Sequence, residues 1–222
     1  MKSDAQIKQD ILDELVFEPN IDETQIGVIV EDGIVTLSGV VNEYHKKALA
    51  NKVAKRVVGV KAVAEDIEVK YGEDFKKTDK EIAKAAVNAL EWNAKIPEEN
   101  IMVFVEDGYI YLSGNVAWDF QRKAAEHSLQ NLLGVKGVVN NIEIKPVEKA
   151  KNIEEQITKA LERYTNLMAK GIRVQVDDDT VQLKGRVHSL KERELIEKTA
   201  YKANGVRHVQ NDIVVQSYPE FV

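Results

Sequence analysis

The sequence predicts an α+β protein made of three tandem αββαβ units, each a three-stranded sheet with two helices on one face. Three observations carry this. One stretch recurs: Ile26 to Gly39, Ile101 to Gly114 and Ile172 to Gly185, with closing glycines 75 and then 71 residues apart. A repeat of that length is a duplicated small domain, not a solenoid unit. A helical pattern precedes each copy by a constant interval, Leu15 to Ile26, Leu90 to Ile101 and Leu161 to Ile172. A second helical pattern, a Gly-Val step and an alternating run follow each copy, at Gly59-Val60, Gly134-Val135 and Gly205-Val206. The 222 residues therefore divide at 1–72, 73–148 and 149–222.

Each unit opens with a helix. Ile7, Ile11, Leu12 and Leu15 share one helical face, as do Ile82, Val87 and Leu90, and Ile153, Ile157 and Leu161. Ser3 with Gln6 and Thr78 with Glu81 have capping-box spacing, and Asn152 is a weaker cap. Trp92 aligns with Phe17 at the end of this helix and is expected in the core. A hairpin follows, with Ile26, Val28 and Val30 alternating toward one side. Asp32-Gly33 and Asp107-Gly108 suit a two-residue turn that needs positive φ, whereas Asp178-Asp179 suits it less well. Gly39, Gly114 and Gly185 are expected to end the return strand at a bulge or close backbone approach. The second helix is expected near 43–58, 118–133 and 189–204, with Ser189 and Glu192 as a further capping box. Its glycine stop is a C-cap. The closing strand must run parallel to the return strand, because a helix connects them. The strand order is not fixed by these patterns.

Composition narrows the function. Zero cysteines exclude disulfides, thiolate metal sites and cysteine nucleophiles. No apolar run reaches the ~20 residues that span a bilayer. The opening Met1 to Ile7 stretch lacks a secretory apolar core, so a cytoplasmic location is expected, with the periplasm second. Units of about 70 residues sit near the size where one core is marginal, so the three are expected to lean on one another. The first two units each carry 9 Lys+Arg against 13 Asp+Glu, a charge of −4, and the third carries 13 against 11, or +2.

The Asp32-Gly33-Ile34-Val35-Thr36-Leu37-Ser38-Gly39 hairpin, its copy from Asp107 to Gly114, and the Gly-Val closing segments resemble the BON domain family. The resemblance covers nearly the whole chain in three copies. It implies a non-enzymatic module that contacts phospholipid or protein, in proteins of osmotic stress and of the cell envelope. A potassium-binding member of the family makes a cation sensor the alternative reading.

No catalytic constellation accompanies these motifs. The four histidines occupy non-equivalent repeat positions and form no ligand pair on one helical face. Asp177, Asp178 and Asp179 sit where turn chemistry already favours aspartate. No cofactor or metal ligand set is assigned. The candidate interaction face is Phe104, Tyr109 and Tyr111, opposite the core face of the second hairpin, with Trp118 at the next helix start. Equivalent positions are Ile29, Ile34 and Thr36 in the first unit and Gln175, Thr180 and Gln182 in the third. Such a face packs on a neighbouring unit or a second chain, meets lipid or ligand, or stabilises the sheet across its strands. Nucleic acid is excluded as a partner because this unit is acidic. Candidate contacts to an anionic phospholipid surface are Arg186, Lys191, Arg193, Lys198, Lys202 and Arg207, interleaved with Glu192, Glu194 and Glu197.

Overall fold

The first helix of each unit begins where its caps stand. In the computed structural model, which describes residues 2–72, 75–145, 152–164 and 171–216, these helices are α1 (Asp4–Val16), α3 (Asp79–Glu91) and α5 (Ile153–Tyr164). The 146–151 linker lies outside the described residues. Ser3 Oγ accepts the Gln6 N–H at 3.3 Å while Gln6 Oε1 accepts the Ser3 N–H at 2.8 Å, and Thr78 and Glu81 repeat the pair at 3.3 and 2.9 Å. Two helix-start donors are satisfied by each box. The backbone N–H of Thr78 also draws the Glu81 carboxyl below its ordinary range.

The buried stripes are Ile7, Ile11 and Leu15 on α1, and Ile82, Ala86 and Leu90 on α3. Val87 is exposed, contrary to the pattern expected for it. The small Ala86 takes its place, and its spacing of four residues from both Ile82 and Leu90 keeps one line along the helix. Phe17 and Trp92 are also outside the core, at 87% and 89% exposure. They are the C-caps of α1 and α3, one step beyond the last helical residue.

Each unit forms its own sheet. The hairpins are β1 (Ile26–Glu31) with β2 (Ile34–Val41), β4 (Ile101–Glu106) with β5 (Tyr109–Val116), and β7 (Arg173–Asp177) with β8 (Thr180–Val187). The closing strands are β3 (Ala62–Val69), β6 (Gly137–Ile144) and β9 (His208–Val215). The orders are β1-β2-β3, β4-β5-β6 and β7-β8-β9, so the return strand is always central. It pairs antiparallel with its hairpin partner and parallel with the closing strand. Val35 and Leu37, Ile110 and Leu112, and Val181 and Leu183 project from these central strands into three buried clusters, one per unit.

The turns follow their residues. Asp32 and Gly33 stand at φ 52° and 77°, and Asp107 and Gly108 at 50° and 81°. Asp178 keeps the left-handed conformation at 51°, but Asp179 lacks the glycine that makes it easy at the second position. Gly39 and Gly114 do not end their strands, which continue to Val41 and Val116. They are close-approach positions: a Cβ on either would lie 2.0 Å from the carbonyl oxygen of Gln25 or Asn100.

The second helices are α2 (Tyr44–Arg56), α4 (Asp119–Leu129) and α6 (Leu190–Ala200), shorter than the sequence pattern because turns occupy the last residues before the glycine. Their first residues, Tyr44, Asp119 and Leu190, share one repeat position, and each sits at a joint between units. Tyr44 packs on the second unit's core, and Tyr71 donates to the Val135 carbonyl at 2.8 Å. Asp119, 5% exposed, pairs with Arg122 and Lys123, which lie 5.3 and 5.6 Å from the ring centre of Tyr201 in the third unit. Ile144 joins the third unit's core. Leu190 packs on the first unit's core, the Gly59 N–H donates to the His188 carbonyl at 3.4 Å, and Lys55 faces Glu194 at 3.7 Å. The units lean on one another in a closed cycle, first to second, second to third, and third to first.

Candidate functional site

The outer face of the second sheet is held by a clamp that reaches across from α3. The Asp79 carboxylate accepts the backbone N–H groups of Asp107 and Gly108, each at 2.9 Å. Asp4 does the same for Asp32 and Gly33 at 2.8 and 3.0 Å. An acid at the first helical position thus fixes the tip of the hairpin that follows. Sequence reasoning missed this clamp, whose signal is an acid directly after each cap, at Asp4 and Asp79.

From that tip the register sets a row across three strands, Phe104 opposite Tyr111 and Tyr111 opposite Val139. The Phe104 and Tyr111 rings are tilted at 43° with centroids 5.8 Å apart, a favourable aromatic geometry. Tyr109 stands beside Gly137, and a Cβ on that glycine would meet its ring at 2.8 Å. Phe104 is 59% exposed, Tyr109 43% and Met102 70%, while Tyr111 is half-buried beside Phe104. Among the described residues no neighbouring unit covers Phe104, Tyr109 or Met102. Ile29 and Ile34 are exposed at the equivalent places in the first unit. In the third, Gln182 instead bonds Asp212 at 2.9 Å, a polar finish to the same sheet position.

Trp118 is half-buried as the N-cap of α4, its backbone N–H donating to Gln121 Oε1 at 3.0 Å. It follows the far end of β5 from Tyr109, so it does not extend the aromatic row. The six basic candidates do not form one patch. Arg193 donates to the Asn211 carbonyl at 2.7 Å, tying α6 to its own sheet. Arg207 lies 4.0 Å from Glu143 of the second unit. Lys198 lines a hollow between α4 and α6, and Lys202 lines another between α5 and α6. Arg186 and Lys191 are exposed on β8 and at the start of α6. Sequence reasoning also missed Phe17 and Trp92 as exposed apolar residues.

These features define a tandem array of αββαβ modules that share one frame and differ on their outer sheet faces. The BON domain family model matches residues 3–71, 78–146 and 149–217, and the chain belongs to this family. It is 31% identical over 151 residues to osmotically-inducible protein Y of Escherichia coli strain K12, covering 64% of this chain and 73% of that protein. Among solved structures, CdsD, a structural protein of the type III secretion system of Chlamydia trachomatis, aligns at 18% identity, over 96% of this chain and 93% of that one, with a TM-score of 0.25. The PrgH periplasmic domain aligns at 13% identity, over 92% and 99%, with a TM-score of 0.22. Among the described residues, no helix is long and apolar enough to cross a membrane.

Proposed function

We propose that this chain is a non-catalytic recognition protein of the osmotic-stress response that holds a phospholipid surface or a protein partner against the outer face of its second sheet. The stress assignment is supported by the family and by the osmotically inducible relative. The observation that carries the recognition role is the row of Phe104, half-buried Tyr111 and Val139 with exposed Tyr109 and Met102 beside it, on one sheet of three that share a frame. The frame does not require these side chains, because the third unit builds the same sheet with Gln175, Gln182 and Gln210 in that row.

An aromatic side chain buries roughly 150–250 Å², worth about 25 cal/mol per Å² of apolar area covered. Covering about half of Phe104 and of Tyr109 therefore contributes about 2 kcal/mol each before association costs. That suits reversible attachment. The unit's charge of −4 points to contact through apolar area more than through attraction to anionic headgroups.

The test is flotation with zwitterionic and with anionic vesicles, at low and high salt. Binding that survives high salt and disappears in Phe104→Ser/Tyr109→Ser supports the lipid reading. Binding unchanged in that variant contradicts it. Absence of vesicle binding, together with failure of the same variant to hold a protein partner that the parent chain holds, assigns the face to a protein.

A further inference from the structure

A strand at the edge of a sheet leaves backbone groups without a mate on its outer side. The helices of the joints, α2, α4 and α6, pack on the closing strands, so β1, β4 and β7 are the outward edges. On β4 the turn and the register decide which groups are free. Glu106 and Tyr109 flank the two-residue turn and form a hydrogen-bonded pair, as do Phe104 with Tyr111 and Met102 with Ser113. Val103 and Val105 alternate with them and turn their N–H and C=O groups away from β5. Among the described residues, neither of these two N–H groups has a hydrogen-bond partner.

The repeats provide an internal control. Edges are commonly guarded by charge, proline or a bulge. The outer face of β7 carries Arg173, Gln175 and Asp177. β1 contains Gly27, which weakens a strand. β4 is uncharged from Ile101 to Val105, with Met102 and Phe104 exposed on its outer face. The helix above this edge selects what can pair with it. α3 packs over β4. A second copy paired here would bring its own α3 within about one strand spacing, ~4.8 Å, whereas packed helices stand about 8–10 Å apart. An extended segment with no helix above it meets no such limit.

We propose that the free edge of β4 binds an extended peptide segment, antiparallel, with the pattern basic, small, apolar, small, apolar. The two small residues lie opposite Val105 and Val103 and exchange two backbone hydrogen bonds with each. Their side chains point beneath α3, which is why they are small. The apolar residue between them faces Phe104 across the closer, non-hydrogen-bonded kind of pair, and the last one faces Met102. The basic residue faces Glu106, in a unit of charge −4. Main-chain bonds supply the affinity in such strand addition, and alternate side chains supply the specificity. The inference rests on the backbone of β4 and not on the reading of the outer face.

The experiment is an amide-resolved NMR titration of the full chain, without vesicles. The probe is an acetylated, amidated heptapeptide with glycine at both ends, lysine second, isoleucine fourth, valine sixth, and serine third and fifth. The expected result is saturable shifts along β4, centred on Val103 and Val105, with none of comparable size on β1 or β7. N-methylation of both serines removes the donors that meet the Val105 and Val103 carbonyls and weakens binding at least about tenfold. N-methylation of the isoleucine, whose N–H points away from β4, leaves binding within about threefold. Glu106→Lys weakens the lysine peptide and favours the same peptide with glutamate second, and its unchanged shifts elsewhere confirm that it folds. No saturable shift on β4 with peptide up to about 5 mM overturns the proposal, because four net backbone hydrogen bonds support roughly millimolar affinity. So does equal weakening by the two methylations, or equal shifts on β1 and β7. Failure here leaves the outer-face reading standing, since no membrane enters the titration.

Discussion

Replacing Asp79 by alanine is expected to loosen the hairpin that carries the aromatic face. The carboxylate accepts two backbone donors at 2.9 Å, an exposed one at Asp107 and a partly buried one at Gly108. A hydrogen bond to a charged group contributes about 1.5–3 kcal/mol when sheltered, and less where solvent screens it. Counting the Gly108 bond near the low end of that range and the Asp107 bond as a fraction of it gives about 2 kcal/mol. If the loss appears as local opening, the Asp107 and Gly108 amides should exchange roughly 30-fold faster, at 1.4 kcal/mol per tenfold. Asp79→Asn keeps one acceptor oxygen and should fall between. Native-state hydrogen exchange measures both. Unchanged exchange at Gly108 in Asp79→Ala would refute the clamp, and with it the claim that α3 positions the face.

Three further outcomes follow from the joints and the close approaches. Burial, as the largest cause, pushes the Tyr44 and Tyr71 hydroxyls above their ordinary value of 10.0, so the folded chain keeps these protons longer than the unfolded one. The associated stability is present below about pH 10 and declines as pH rises through the raised values, so unfolding should show a steeper alkaline loss in the parent than in Tyr44→Phe/Tyr71→Phe. Gly114→Ala should cost roughly 3 kcal/mol or more by chemical denaturation, because its Cβ would lie 2.0 Å from the Asn100 oxygen at φ 122°. A double-mutant cycle of Tyr201→Leu with Lys123→Met should return a coupling of about 0.5–1 kcal/mol across the joint between the second and third units, and strict additivity would contradict the stacked arrangement.

The frame was legible because its signals are local. Capping boxes at Ser3 and Thr78, turn residues at Asp32-Gly33 and Asp107-Gly108, and alternating strands each act within a few residues. Repetition then turned weak signals into a consistent one. Strand order was not legible, since either hairpin strand can accept the closing strand until the helix connection is packed. The joints were hidden for a different reason: one repeat position carries Tyr44, Asp119 and Leu190, three unrelated chemistries that no periodicity marks. Trp92 was misread because hydrophobicity alone places an aromatic in the core, while its C-cap position points it to solvent. The outer row was legible as a contrast between repeats. Its exposure was not, because a neighbouring unit could equally have covered it.

The central claim is that the modules share a folding frame and that the outer surface of the second one carries recognition. Its most direct test gives the second sheet the third sheet's residues, as Phe104→Gln/Tyr109→Thr/Tyr111→Gln, and measures vesicle or partner binding together with folding stability. Binding is expected to be lost while the chain stays folded, with a stability loss of about 2–3 kcal/mol from the ring pair and the half-buried Tyr111. Intact binding, or a collapse of the fold, would contradict the claim.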